Sequence, residues 1–250
     1  MTPPLLSADA LQPAVRLTNV TKIFGAHTAV DQLSLAVPRG CTYGFIGPNG
    51  SGKTTTIRTI LHIFHPDSGE VEVLGERSTR AANDRIGYLP EERGLYKKMT
   101  VRRVLAYYAS LKGMTRAATA QATTHLLTKM GLSEWADKKV EALSKGMAQK
   151  IQFISAVIAK PELLILDEPF SGLDPVNLEV LRAAILELRA AGTTVIFSTH
   201  DMAMAETMCD FIFMIYRGRK VLDGTLADIQ RQFGEDTVRV SCAGGAELLR

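Results

Sequence analysis

The stretch Gly47-Pro48-Asn49-Gly50-Ser51-Gly52-Lys53-Thr54 decides the fold. Its glycine, glycine-lysine-threonine spacing is that of a phosphate-binding loop, and the flanking residues suit that role. CTYGFIG (41–47) is a short apolar run of strand length, and from Lys53 onward Ile57, Ile60, Leu61 and Phe64 recur at helical spacing. Glycines let the backbone curl so that N–H groups converge on phosphate oxygens. The free N–H groups and positive dipole end of a helix starting at Lys53 favour an anion. The Lys53 ammonium then lies near the β- and γ-phosphates, and the Thr54 hydroxyl is placed to ligate magnesium.

Outward from this loop, strand patterns precede it and alternate with helices after it. VRLTNVTKIF (15–24) and LSLAV (33–37) alternate in polarity and end at the turn Pro38-Arg39-Gly40, as half-buried strands do. VEVL (71–74) follows the breaker Pro66-Asp67-Ser68-Gly69. In the middle, Thr100 is a good N-cap for a helix carrying Val101, Val104, Leu105, Tyr108 and Leu111 on one side. A second helix runs to about Met130 with Gly131 as its C-cap, and a third starts after Ser144 and ends before Pro161. Residues 92–160 therefore form a helical insertion. The α/β pattern resumes with ELLILD (162–167), a helix over 177–192, TTVIFST (193–199), a short helix at Asp201–Cys209 and FIFMIY (211–216). Strands alternating with helices imply an α/β protein with a mostly parallel sheet, helices on both faces.

The strand 163–167 ends in Asp167-Glu168. Alone, such a terminus is as readily a solvated strand end. Following a phosphate loop, it falls at the carboxyl edge of the sheet, where ligands of open α/β sheets sit. Asp167 is then placed to hold the magnesium shell and Glu168 to polarise a water in line with the γ-phosphate. Ser144 caps a helix whose first turn holds Gly146, presenting a hydroxyl and free N–H groups as a second anion site, although an ordinary capped helix reads the same way.

Leu143-Ser144-Lys145-Gly146-Met147 resembles the LSGGQ signature of ABC ATPases. Ser171-Gly172-Leu173-Asp174 is similar to their D-loop, Ser198-Thr199-His200 to their switch histidine, and Phe24 in KIFG stands where the family stacks an aromatic ring on adenine. The resemblance spans about residues 15–230, with every motif in family order. It implies a P-loop NTPase core of RecA-like type with an N-terminal antiparallel β subdomain and an inserted α-helical subdomain. It further implies ATP held by Phe24, by Gly47 through Thr55 and, in a head-to-tail dimer, by Ser144, Gly146 and Asp174. The same resemblance implies that Thr54, Asp167 and Glu91 surround magnesium and that Glu168 and His200 are catalytic, with Glu91 either ligating the metal or requiring a counterion such as Arg93. The sequence departs from the family pattern at Lys145 for a glycine, Met147 for a glutamine, and Glu91 where many members carry glutamine. IGYLPEERGLYKKMTV (86–101) together with LSKGMAQK (143–150) is similar to the ATP-binding subunits of ABC-2-type exporters of the sodium-extrusion and multidrug subgroups. The implied partners are a second ATP-binding subunit and an integral membrane permease, at the cytoplasmic face of the cell membrane. TVRVSCAGGAELLR (237–250) looks like the start of an accessory C-terminal region that is cut short.

Composition narrows the classes further. The 250 residues carry a net charge of only +3, 46% are hydrophobic and 22% charged, so no basic stripe argues for nucleic acid. Cys41, Cys209 and Cys242 are far apart and have no Cys-x-x-Cys spacing, so neither a zinc site nor a disulfide framework is suggested, and reduced thiols are the simplest reading. No run approaches the roughly 18–20 apolar residues of a membrane helix. Residues 1–14 read as a flexible leader, 15–234 as the ATP-binding domain and 235–250 as the accessory region. His27, His62, His65 and His125 read as surface or loop residues, Trp135 as packing in the helical subdomain, and Lys97-Lys98 as solvated charges where a membrane partner could dock. Two competing functions remain: an ABC ATPase acting on ribosomes or DNA, disfavoured by the single cassette, and a regulatory cassette without turnover, disfavoured by Glu168 and His200.

Overall fold

The structure, a computed structural model, describes residues 12–77, 82–92 and 94–233. Within these, the strands are β1 (Val15–Phe24), β2 (His27–Val37), β3 (Thr42–Ile46), β4 (Ser68–Val73), β5 (Ile86–Leu89), β6 (Leu163–Asp167), β7 (Thr194–Thr199), β8 (Phe211–Tyr216) and β9 (Arg219–Gly224). The α-helices are α1 (Lys53–Ile60), α2 (Val101–Leu111), α3 (Arg116–Lys129), α4 (Lys145–Val157), α5 (Pro175–Ala190), α6 (Met202–Met208) and α7 (Leu226–Phe233).

Alternation makes the first sheet. Val15, Leu17 and Val20 of β1 face inward while intervening polar residues face out, and β1 pairs antiparallel with β2 and β4 in the order β2-β1-β4. Continuous apolar strands make the second, ordered β5-β6-β7-β3-β8-β9. Every residue of β3, β6 and β7 is buried, as expected for parallel strands covered on both faces, and only β9 runs antiparallel. The expected α/β core with an antiparallel β unit and a helical insertion is therefore present.

Two cores support the site from opposite sides. One joins the antiparallel sheet to α1 through residues such as Leu17, Val30, Val73, Ile57, Ile60 and Phe45. The other joins the helical insertion to the parallel sheet: Val104, Leu105, Leu127, Phe153 and Ile154 pack with Leu164, Leu166, Val195 and Phe197. Trp135 packs against this second core, in keeping with a structural role.

Several expectations need correction. Helix α1 ends at Ile60, and His62 takes a left-handed backbone (φ 51), so Phe64 leaves the helix and its ring meets Phe24 edge-on at 5.2 Å. Leu111 ends α2 on its solvent side and is 58% exposed. Strand β2 begins at His27, before the alternation at 33–37. Ala14, placed with the leader, is fully buried, and its carbonyl accepts the Leu74 N–H at 2.7 Å. Strands β5 and β9 and helix α7 were not anticipated. Residues 1–11, Arg93, Cys242 and the accessory region 235–250 lie outside the described residues.

Candidate nucleotide site

Strand β3 lies between β7 and β8, and the loop leaving its carboxyl end runs into α1. The chain therefore turns at the point where neighbouring connections diverge, which opens a crevice at the sheet edge. A cavity of about 530 Å³ occupies it, lined by Asn49 to Thr55, Phe24, Glu91, Glu168 and His200. Gly47 and Pro48 border an adjacent depression that shares Asn49 and His200.

The loop's curl depends on glycine where it enters the helix. Gly52 has φ 111°, and a Cβ there would lie 2.6 Å from the Ala29 carbonyl oxygen. Gly52 also occupies the N-cap position of α1, so no side chain satisfies the first-turn amides. Those amides and the dipole leave a positive helix end facing the cavity. Lys53 is buried, and its Nζ donates to the carbonyls of Gly47 (2.6 Å) and Pro48 (3.2 Å). It lies 3.9 Å from Glu168 Oε1.

The acidic pair divides as its neighbouring strand-end positions require. Asp167 is completely buried; its Oδ1 accepts from Ser198 Oγ at 2.5 Å and from Thr54 Oγ1 at 3.4 Å. Its Oδ2 is buried without a hydrogen-bond partner. A buried carboxylate oxygen left unpaired beside the Thr54 hydroxyl suits a hard divalent cation, which takes oxygen ligands and keeps most of its waters. Among the described residues no three His, Cys, Asp or Glu side chains converge as a metal cage, and a magnesium shared with phosphates needs none. Glu168 has φ 49°, a left-handed conformation that carries strain in a residue with a side chain. Its N–H donates to Ser198 Oγ at 3.0 Å, and its Oε1 lies 3.1 Å from His200 Nδ1. Carboxylate, imidazole and ammonium thus meet at one end of the cavity.

Phe24 closes the other end. Its ring is 43% exposed, braced edge-on by Phe64, with Lys22 Nζ 5.4 Å from its centroid. Asp67 fixes this hairpin by accepting the Ile23 N–H at 2.6 Å, and that bond, with Lys22 adding to it, holds the Asp67 carboxyl below its ordinary range.

Ser144, Gly146 and Asp174 stand apart from this cavity. Ser144 is exposed and caps α4 by accepting the Met147 N–H at 3.3 Å. Gly146 packs against the Asn177 side chain, and a Cβ there would come within 2.9 Å of Asn177 Nδ2. Asp174 caps α5, both its oxygens accepting from Asn177.

Sequence patterns missed two lining residues, His27 and Ala29, and read Ser171 only as part of the D-loop-like motif. His27 is a surface residue, as expected, and it also pairs directly with Phe24 across the β1–β2 turn, which brings it to the cavity rim. The Gly25-Ala26 turn between two strands was the signal that could have found it. Cys41 and Cys209 are free, and burial pushes both thiols up to about 12.

The fold and the loop define a P-loop nucleotide hydrolase, and the comparisons place it more closely. The ABC transporter family pattern matches residues 30–171. The uncharacterised ABC transporter ATP-binding protein YhaQ of Bacillus subtilis is 46% identical over 224 residues, covering 90% of this chain and 75% of YhaQ. Nod factor export ATP-binding protein I of Sinorhizobium fredii is 36% identical over 247 residues, covering 97% of this chain and 72% of that protein. A solved structure described as the ATP binding subunit of an ABC transporter superposes with a TM-score of 0.82 at 32% identity, covering 88% of this chain and 93% of that one. The chain belongs to the ABC transporter ATP-binding family and is an ATPase.

Proposed function

We propose that this chain is the motor subunit of an ABC-2-type exporter, in which ATP-driven closure of two cassettes moves a separate membrane subunit. The observation that carries this reading is the separation of two anion-receptive helix ends. One, at Lys53, lies in a formed cavity beside Glu168 and His200; the other, at Ser144, is exposed on the helical insertion. A second copy or related cassette offering its Ser144–Gly146 turn completes the first site, and the arrangement is reciprocal.

In this mechanism Phe24 stacks on adenine and the loop amides with Lys53 hold the phosphates. Lys53 exchanges its contacts with the Gly47 and Pro48 carbonyls for phosphate oxygens. Thr54 and Asp167 hold magnesium, with Glu91 near its shell. When bound, that ion offsets the charge that develops on the β- and γ-phosphate oxygens. Glu168 orients and takes a proton from the attacking water, and its strained backbone is held by Ser198. With a proton on Nδ1, His200 donates to Glu168 and fixes the carboxylate; doubly protonated, it also contacts the γ-phosphate. Asp174 stabilises the loop that meets the second cassette.

Coupling to a membrane subunit is supported by three features. Among the described residues no helix is long and apolar enough to cross a membrane. A groove of about 440 Å³, lined in part by Ile63, Tyr88, Leu95 and Tyr108, opens beside the Glu91 loop. Ile63 is 54% exposed there, a placement suited to an apolar partner segment at the cytoplasmic face of the membrane. The Sinorhizobium fredii relative is named for export. Purification of the tagged chain from membranes tests this: a polytopic membrane protein accompanies it on this reading. Recovery with ribosomes or DNA in its place would favour the alternative.

A further inference from the structure

Two glutamines on the inner side of α4 have no part in the mechanism above, yet both are almost completely buried. Gln149 is 3% exposed and donates from Nε2 to the Pro169 carbonyl at 3.0 Å, one residue beyond Glu168. Gln152, one turn further along, is 4% exposed. Its Nε2 donates to the Pro90 carbonyl at 3.3 Å and to the Glu92 carbonyl at 3.1 Å. The two acceptors flank Glu91, which borders the nucleotide cavity. The Gln152 Oε1 is buried without a partner, so the amide is retained for its donor end despite the cost of the orphaned acceptor.

We propose that Gln152 is a positioning residue that fixes Glu91 in the nucleotide cavity by clamping the carbonyls on either side of it. The same helix begins at Ser144, so displacement of α4 by an anion at its N-terminus reaches the Glu91 loop through this amide. The inference rests on the mechanism proposed above, in which Glu91 faces the nucleotide. Lysine donors gripping backbone carbonyls recur around it: buried Lys150 Nζ donates to Met130 at 2.9 Å, and half-buried Lys112 Nζ donates to Ile86 at 2.9 Å and to Asn83. The fold therefore accepts a lysine in such a role.

The test compares Gln152→Met, Gln152→Lys and Gln152→Glu in steady-state ATP hydrolysis by the full chain, each also combined with Glu91→Ala. Losing two hydrogen bonds, Gln152→Met lowers kcat about tenfold while KM for ATP stays within about threefold. Gln152→Lys, which keeps the donor and discards the orphaned acceptor, recovers most of that loss; Gln152→Glu, with no donor, is at least as slow as Gln152→Met. In the Glu91→Ala background Gln152→Met has little further effect, because two residues acting through one group are not additive. Thermal midpoints establish that each variant is folded, and the Lys and Glu variants decide if Met is not. The proposal is overturned if Gln152→Lys is as slow as Gln152→Glu, or if Gln152→Met slows the Glu91→Ala protein by its full factor. A Glu91→Ala protein as active as the unaltered chain would instead remove the role given to Glu91, and the clamp with it.

Discussion

At the start of α1, the N-cap is Gly52 in a left-handed conformation, the first-turn amides face a cavity, and Lys53, Glu168 and His200 converge on it. At the start of α4, the N-cap is Ser144 in an extended conformation; Ser144 and Lys145 are exposed, Gly146 is buried, and none of the three lines the cavity that holds Glu168 and His200. Both ends offer N–H groups and a dipole to an anion. Only the first also has beside it the carboxylate and imidazole to which the proposed mechanism assigns the chemistry. A helix end alone recognises charge, whereas strand ends brought beside it supply reactivity. The loop from Glu168 to Asp174 links the two regions, through Gln149 at Pro169 and Asn177 against Gly146.

Variants of the finished site give the largest effect. Glu168→Gln removes the proton acceptor while keeping the shape, so ATP turnover falls by about 10²–10⁴-fold, with ATP binding retained. Phosphate-release and nucleotide-binding assays on the same preparation separate the two quantities, and an active variant would move the chemistry to another group. At the opposite wall, Phe24→Ala leaves the acidic end untouched. Loss of base stacking, about 1–3 kcal/mol, weakens ATP binding about 5- to 150-fold with kcat little changed, as nucleotide titration measures. The smallest effect concerns the brace behind Phe24. Asp67 has its folded-state pKa lowered by the Ile23 N–H and then by Lys22. Its contribution is thus complete above the ordinary value of 3.8 and fades as pH falls through the folded value. Thermal midpoints of the unaltered chain and of Asp67→Ala should differ at neutral pH and converge in acid; a gap that widens in acid would contradict the assigned bond.

Much of this comparison was legible in the residues. The phosphate loop lies between an apolar strand and a helix, so Gly47–Thr55 could be read locally, and Asp167-Glu168 followed from a five-residue apolar strand. The helical insertion was readable because Val101, Val104 and Leu105 keep helical spacing after a capping threonine. What escaped was set by tertiary pairing. Strand β5 has four residues and too little alternation to register, and β9 is an edge strand, mostly exposed or half-buried. Leu111 and Phe64 kept helical spacing past the point where the backbone turned or the core ended. Gln149 and Gln152 gave no pattern of their own, since the partner of Gln149 lies in the loop after β6 and those of Gln152 in the loop after β5.

The central claim, that each cassette holds half of the other's nucleotide site, is tested most directly by the mass of Glu168→Gln in solution with and without ATP and magnesium. Sedimentation velocity should show the mass doubling on addition of nucleotide, and Ser144→Arg in the same background should abolish the doubling while ATP still binds. A Glu168→Gln protein that binds ATP fully yet keeps the mass of a single chain at every concentration examined would contradict the claim.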